Sequence, residues 1–116
     1  MTKVQKVLAE NARRLRVLMR KTQRDIASMC DVSQKTISNL ETPDSPISPK
    51  LATIEALASG FKLHPAMLLL DKITDDALTD RQVGVMIEEF AALPASRKRQ
   101  VMDLISDFSR LERSEE

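Results

Sequence analysis

The chain has 116 residues, of which 42% are hydrophobic, 3% aromatic and 30% charged, and its formal net charge is +1. This length allows one small domain with an extension or two very small units, and the presence of only two glycines and few β-branched runs favours an all-α fold. The single cysteine excludes an intrachain disulfide and suits a reducing cytoplasm, and the sequence shows neither a signal peptide nor an apolar run of the roughly 20 residues that a membrane span needs.

The charge is unevenly distributed along the chain. Residues 1–70 contain 11 Lys and Arg against 6 Asp and Glu, a balance of +5, whereas residues 71–116 contain 7 against 11, a balance of −4. A basic half is expected of a domain that binds nucleic-acid phosphates. The alternative is a surface of scattered, solvated charges.

The first predicted helix runs from about Thr2 to Arg20. Thr2 and Gln5 are spaced for a capping box, in which each side chain pairs with a backbone N–H of the other residue. Apolar residues recur on one helical stripe of this segment: Val4, Val7, Leu8, Leu15, Leu18 and Met19. The segment is therefore expected to bury one face.

Two short helices joined by a three-residue turn are predicted between Thr22 and Glu41, which is a helix-turn-helix pattern. Thr22 and Ser33 are suited to cap the two helices, because a hydroxyl accepts a hydrogen bond from an otherwise unpaired backbone N–H. Asp31 lies at the turn, where a positive φ is often needed and aspartate tolerates it. The apolar residues of the second helix share one face, which leaves its polar residues to contact DNA bases and phosphates.

A loop and two further helices are predicted next. Two prolines and several polar residues in 42–48 predict a loop. Ser48 is expected to cap the fourth helix, with Pro49 at its first position and Gly60 at its end. A short fifth helix is predicted over 65–70.

The rest of the chain is predicted to be a linker followed by two helices. Residues 71–78 show no helical pattern. A sixth helix is predicted over 79–93, where Thr79 and Gln82 suit a capping box, and a seventh follows Pro94 and runs to about Glu112. Two amphipathic helices with so short a connection predict an antiparallel hairpin.

Five short stretches of the sequence are informative when they are considered together: Leu15 to Met19, Thr22-Gln23, Val32-Ser33-Gln34, Ile37 to Glu41 and Pro49 to Ala58. Together they resemble the phage repressor and Cro-like helix-turn-helix family, also called the lambda-repressor-like or XRE family, over residues 4–70. The resemblance implies an all-α fold in which residues 1–70 form a five-helix lambda-repressor-like DNA-binding domain. With a linker over 71–78, the C-terminal two-helix extension is the predicted hairpin in 79–116.

The resemblance also implies a DNA-binding surface. Base edges would be read by Gln34, Lys35 and Asn39, since glutamine and asparagine can pair with adenine and lysine can reach guanine. An ion pair between Arg16 and Glu41 would hold the recognition helix against the first helix. Phosphates would be bound by five polar or basic side chains: Thr22, Gln23, Ser33, Thr36 and Lys50.

The predicted hairpin has a surplus of apolar residues: Val83, Met86, Ile87, Phe90, Val101, Leu104, Ile105, Phe108 and Leu111. A helix that reads the major groove covers one half-site, so two-fold symmetry is expected and the hairpin is predicted to form the dimer interface. The alternative is that this surface packs on residues 1–70 of the same chain.

The expected function is sequence-specific binding of double-stranded DNA by a transcription regulator. The protein would be a repressor that acts in the bacterial cytoplasm as a homodimer on a palindromic operator. The alternative is a protein-interaction module, antitoxin-like or a regulatory partner, that acts through the C-terminal helices.

Patterns for catalysis and metal binding are weak. His64 precedes Pro65 and is expected to cap or begin the fifth helix, while Cys30 lies on the packing side of its helix. One histidine and one cysteine cannot build a four-ligand zinc site, and no glycine-rich loop is present to bind phosphates. We therefore expect no enzyme activity, cofactor, metal ion or small-molecule ligand.

Overall fold

The structure is a computed structural model that describes residues 2–115. The described residues form helices and no strand, which confirms the all-α prediction. The chain divides into two units, one that reaches Val85 and one that begins at Met86. The helices are α1 (Lys3–Leu18), α2 (Gln23–Met29), α3 (Gln34–Glu41), α4 (Leu51–Phe61), α5 (Pro65–Leu68), α6 (Asp75–Leu78), α7 (Arg81–Ala91) and α8 (Ala95–Glu115).

The core of the first unit is aliphatic, and each of its six helices contributes at least one fully buried side chain. Burial of one such leucine or isoleucine stabilises the fold by about 1.5–3 kcal/mol. The fully buried residues are Leu8, Leu15, Ile26, Ile37, Leu57, Met67, Leu68 and Leu78.

Helix α1 begins as its sequence predicts and ends at Leu18, two residues before the predicted Arg20. At its start, the Gln5 backbone N–H donates to Thr2 Oγ1 at 3.1 Å and the Thr2 N–H donates to Gln5 Oε1 at 2.8 Å, so the predicted capping box is confirmed. At its end, Arg20 adopts a positive φ of 56°. The Lys21 N–H then donates to the Arg16 carbonyl at 3.1 Å, a Schellman ending that directs the chain into α2.

The predicted boundaries of the fourth helix are wrong by one or two residues. Lys50, and not Ser48, is the N-cap of α4, and it makes no side-chain capping bond. The Ser48 hydroxyl instead accepts a hydrogen bond from Gln5 Nε2 at 3.0 Å. Gly60 lies inside α4, which ends at Phe61. A Cβ at position 60 would overlap the Sγ of Cys30, so the glycine allows close packing of α4 on α2.

Residues 71–78 differ from the loose linker that their sequence predicts. Thr74 caps α6 by accepting from the Ala77 N–H at 3.2 Å, and Leu78 is fully buried in the core of the first unit. On α1, Arg14 Nη2 lies 2.6 Å from Asp75 Oδ1 and donates to the Ile73 carbonyl at 2.7 Å. One leucine and one ion pair anchor this segment, and neither produces a periodic pattern that the sequence could reveal.

A buried asparagine on α1, Asn11, also holds the chain that follows α5 against α1. Asn11 is 2% exposed, and its Nδ2 donates to the carbonyls of Leu68 and Leu70, both at 3.0 Å. Its Oδ1 accepts from Arg14 Nη1 at 3.1 Å. The amide thus satisfies carbonyls at the end of α5 that would otherwise be unpaired.

Helix α7 begins at Arg81, and its cap lies one residue later than the sequence predicts. The cap is Asp80, whose Oδ1 accepts from the Gln82 N–H at 2.9 Å. The hydroxyl of Thr79, the predicted cap, donates to the Asp75 carbonyl at 3.0 Å instead. Gly84 is buried, and a Cβ there would lie 3.0 Å from the His64 Cβ, so α7 packs closely on the start of α5.

The second unit contains the end of α7 and all of α8. The two helices are joined by residues 92–94 and face each other across an apolar gap of about 170 Å³. Helix α8 has 21 residues and α7 has 11. The gap is lined by Met86, Ile87, Phe90, Val101, Met102 and Ile105.

Candidate nucleic-acid interface

The entry into α2 is fixed by a reciprocal cap. Thr22 Oγ1 accepts from the Asp25 N–H at 3.0 Å, and Asp25 Oδ2 accepts from the Thr22 N–H at 2.9 Å. The hydrogen bond from the Thr22 backbone is the larger cause, and that from its side chain the smaller, of the lowered pKa of the Asp25 carboxyl. The Thr22 cap was expected from the sequence. The role of Asp25 was not, although the spacing Thr-x-x-Asp could have indicated it.

The turn between α2 and α3 is a Schellman motif. Asp31 has the positive φ, 56°, that its position predicts. The Val32 N–H donates to the Ala27 carbonyl at 2.9 Å, which closes the end of α2. Ser33 then caps α3 by accepting from the Thr36 N–H at 3.1 Å. Two capped ends on either side of a left-handed residue set the angle between the helices.

Helix α3 buries one face and exposes the other. Ile37, Leu40 and Glu41 are buried. Gln34 and Lys35 are exposed at its first turn. Three further polar side chains lie near them, of which Ser33 is exposed and Thr36 and Asn39 are partly exposed. The structure thus brings all three predicted base-reading residues to the accessible side of one helix.

Arg16 and Glu41, the two residues that the resemblance pairs, are in contact. Arg16 Nε lies 2.9 Å from Glu41 Oε2, and Arg16 Nη2 donates to Glu41 Oε1 at 3.0 Å, so the pair is bidentate. The side chains are 19% and 6% exposed. Arg16 also donates to the Lys21 carbonyl at 3.1 Å. The guanidinium therefore joins the end of α3 to α1 and to the residue that precedes the Thr22 cap.

Gln23, a predicted phosphate ligand, makes a contact that the sequence did not reveal. Its Nε2 lies 3.4 Å from Glu41 Oε1, in a partly buried position. An amide nitrogen carries two hydrogens, so one remains for another acceptor. The hydroxyls of Ser33 and Thr36 lie 2.8 Å apart. Because only one of the two hydrogens is used between them, the other is free to donate outward.

Two basic residues missed by the sequence interpretation lie beside these groups. An open groove of about 560 Å³ runs along the starts of α2 and α3. Its charged residues are Arg16, Lys21 and Arg24, and no acidic residue lines it. Lys21 and Arg24 are exposed. Their proximity to Thr22 and Gln23 in the sequence was the available signal. The groove is lined by Arg16, Lys21, Thr22, Gln23, Arg24 and Gln34.

Lys50 lies on the other side of α3. The loop over 42–48 contains no Lys or Arg, and the exposed Lys50 follows it as the N-cap of α4. Lys50, Thr36 and Asn39 all line one depression of about 190 Å³. The predicted base-reading and phosphate-binding residues therefore occupy both flanks of the recognition helix.

The residues predicted to form the dimer interface fall into two groups. Val83, Ile87, Phe90 and Val101 are partly buried. The other five are exposed, and their exposed fractions are high for large apolar side chains. They are Met86 at 58%, Leu104 at 54%, Ile105 at 42%, Phe108 at 59% and Leu111 at 57%.

Cys30 and His64, the two residues considered for catalysis, both have roles in the fold. Burial raises the pKa of the Cys30 thiol, which keeps it protonated and weakly nucleophilic. His64 caps α5, and its Nδ1 accepts from the Ala66 N–H at 3.0 Å. Among residues 2–115, no group of three or more acidic, His or Cys side chains is arranged to hold a metal ion. No described helix has the length and apolar character needed to cross a membrane.

Comparison with known proteins identifies the part of the chain that carries this interface. No curated protein and no solved structure matches the chain significantly. The profile of a family described as helix-turn-helix matches residues 13–68, a range that contains α2, α3, α4 and α5 in full. Residues 13–68, slightly less than half of the chain, are similar in sequence to the Cro/C1-type helix-turn-helix (XRE) family of DNA-binding transcription regulators.

Proposed function

We propose that this protein is a repressor that binds a palindromic operator as a homodimer and reads it with α3. The observation that supports this most directly is the exposure of Gln34 and Lys35 on a helix whose opposite face is buried. The bidentate contact from Arg16 to Glu41 holds that helix in place. A rigid helix with free polar side chains at its start is what readout in the major groove requires.

Base readout falls to Gln34, Lys35 and Asn39. The amides of Gln34 and Asn39 can each donate to N7 and accept from N6 of adenine, and the Lys35 ammonium can donate to O6 and N7 of guanine. None of the three forms a side-chain hydrogen bond or ion pair within residues 2–115. Their hydrogen-bonding groups are therefore available to the bases.

Phosphate binding falls to the groups around the start of α3. The Ser33–Thr36 pair has one hydroxyl hydrogen to donate, and the unpaired N–H groups and positive end of the helix dipole favour an anion there. Thr22 and Gln23 lie on the adjacent groove, which Lys21 and Arg24 make positive. Lys50 binds the backbone on the other flank. These contacts fix the register of α3 and carry no base preference.

The homodimer follows from the symmetry of the target. One α3 covers one half-site, and two half-sites about 34 Å apart require two copies related by a two-fold axis. The exposed apolar side chains of α8 supply a surface for such a contact. The acidic balance of residues 71–116, −4, keeps this surface away from phosphates.

The same exposed surface supports a second candidate function. Exposed apolar side chains on α8, including Phe108 and Leu111, also suit a protein-interaction module that binds a different protein. The two functions differ in stoichiometry. A homodimer forms from the purified chain alone, whereas a module for another protein stays monomeric until its partner is added.

An electrophoretic shift assay with the DNA upstream of the protein's own gene tests the proposal. We expect a saturable complex of two chains per duplex and a footprint with two-fold symmetry. A reporter driven by the same DNA should fall in expression when the protein is supplied. Binding that is equally tight to unrelated DNA, or a reporter that rises, would contradict the specific-repressor assignment.

A Gln23→Ala variant separates the phosphate contacts from base readout. It should weaken binding to specific and unrelated DNA by the same factor, because Gln23 is assigned to the backbone. The matched control is Gln82→Ala, an exposed glutamine at the start of α7 whose side chain makes no hydrogen bond within residues 2–115. A loss confined to one base-pair change in the operator would assign Gln23 to base readout instead.

A further inference from the structure

Helix α8 carries an apolar stripe with the spacing of a heptad repeat. Val101, Leu104, Phe108 and Leu111 are separated by three, four and three residues. This is the a and d pattern with which two helices pair along a shared seam. Leu104, Phe108 and Leu111 are each more than half exposed, at 54%, 59% and 57%. The stripe therefore has unburied apolar surface over most of its length.

Because α7 is shorter than α8, only one half of the apolar stripe on α8 lies beside α7. At 1.5 Å per residue, 11 residues span about 16 Å and 21 residues span about 31 Å. The gap between the helices is lined from α8 only by Val101, Met102 and Ile105. Phe108 and Leu111 lie beyond it. One half of α8 thus borders an unfilled apolar gap, and the other half presents exposed apolar side chains.

We propose that α8 pairs with α8 of a second copy in the antiparallel direction, with Val101 against the partner's Leu111 and Leu104 against the partner's Phe108. This inference rests on the homodimer proposed above and specifies its geometry. In this register, the exposed half of each α8 lies on the half of its partner that borders the gap. Each copy therefore covers what the other leaves open.

The charges that flank the stripe favour the antiparallel direction. In the proposed register, residues whose numbers sum to 210 face each other on one flank, so Lys98 meets the partner's Glu112 and Glu112 meets the partner's Lys98. Within residues 2–115, neither side chain is already in an ion pair. On the other flank, Asp107 faces the Asp107 of the second copy. Within each helix, Arg110 already pairs with Asp107.

The parallel direction brings like charges together. There, each residue on one flank faces the residue five positions later on its partner. Asp107 would then face the partner's Glu112, and the symmetry axis would repeat this contact. The parallel arrangement thus has two carboxylate–carboxylate contacts, whereas the antiparallel arrangement has two lysine–glutamate contacts and one carboxylate–carboxylate contact at Asp107; the apolar seam is similar in both. The charge pattern is therefore what selects the direction.

Disulfide trapping in the full chain tests the direction. The variants Leu104→Cys and Phe108→Cys are made in a Cys30→Ala background, one of them with an affinity tag that changes its size, and are mixed and oxidised. Antiparallel pairing predicts disulfides between the two different variants. Parallel pairing predicts disulfides only between identical variants, and this outcome would overturn the inference while leaving the homodimer intact.

Charge reversal tests the register without altering the apolar seam. We expect Lys98→Glu and Glu112→Lys each to weaken the dimer by about tenfold in sedimentation, and the double variant to restore it. Retained helicity in circular dichroism excludes misfolding as the cause. Failure of the double variant to recover would contradict the register. An unsubstituted chain that remains monomeric at all concentrations would overturn both the homodimer and this inference.

Discussion

Helices α1 to α3 bury most of their apolar side chains, whereas α8 leaves its own exposed or only partly buried. In the first region Leu8 and Leu15 are 1% and 2% exposed, and the charged Glu41 beside them is paired with Arg16. In the second region Phe108 is 59% exposed. The first region can thus reach its stability within one chain. In the homodimer proposed above, the second region gains apolar burial from a second copy, so its stability should depend on protein concentration.

The largest effect that we expect from breaking the first region is that of Glu41→Ala. This change leaves the largely buried Arg16 guanidinium without its carboxylate and removes an acceptor from Gln23. The free energy of unfolding should fall by about 3 kcal/mol, as measured by urea denaturation of the full chain.

The matched control is Glu55→Ala, which removes an exposed glutamate of α4. Its effect should stay within about 0.5 kcal/mol. If Glu41→Ala lowered the free energy of unfolding as little as Glu55→Ala does, the Arg16–Glu41 ion pair would contribute little to the stability of the first region.

The second region is broken by Phe108→Glu, which places a charge in the exposed apolar stripe. Two linked half-sites bind 10²–10⁴ times more tightly than one, so loss of the dimer should weaken operator binding by about 100-fold. Sedimentation and electrophoretic shift on the same sample measure both steps. The unfolding free energy contributed by the first unit should not change.

The control for this change is Ser106→Glu, which adds the same charge at an exposed position outside the stripe. Dimerisation and operator binding should remain close to those of the unsubstituted chain. Equal losses for the two variants would point to the added charge itself, and not to the apolar contact, as the cause.

The sequence predicts best the features that are encoded by neighbouring residues. The caps at Thr2, Thr22 and Ser33 and the positive φ of Asp31 are all found. Each depends on residues within one turn, where the chemistry of a hydroxyl or a short acid decides the conformation. The match to the helix-turn-helix family follows from the same local pattern.

Apart from the Arg16–Glu41 pair, which the family resemblance supplied, features that depend on distant residues were predicted poorly. The segment before α7 was expected to be a linker, but Leu78 enters the core and Asp75 pairs with Arg14, which is 61 residues away in sequence. Asn11 supports the end of α5 from α1. Gly60 was assigned to a helix end, although its role is close contact with Cys30. Such contacts leave no periodic trace in the chain.

A smaller effect, confined to function, should follow Gln34→Ala. Removing this exposed side chain should leave the unfolding free energy unchanged and cost roughly 1–3 kcal/mol of operator binding, with relaxed preference at one base pair. Binding to a set of operators with single base-pair changes measures both. Gln82→Ala is again the control, since it removes an exposed glutamine from the same unit. Unaltered affinity and base preference would remove Gln34 from the reading surface.

The smallest effect concerns the cap at the start of α2, and it should depend on pH. Hydrogen bonds from Thr22, first from its backbone and then from its side chain, lower the pKa of the Asp25 carboxyl. A lowered pKa in the folded state means that the unfolded state binds the proton more readily. The stabilisation is therefore complete above the unfolded value, roughly pH 4, and is lost as the pH falls through the folded value.

Asp25→Asn removes the titrating group and keeps its shape. At neutral pH the unsubstituted chain should have the higher thermal midpoint, and the difference should shrink as the pH falls below about 4. Asp44→Asn, in the exposed loop before α4, is the matched control, because no cap depends on it. A difference that stays constant across this range would show that the cap depends on the geometry of the side chain and not on its charge.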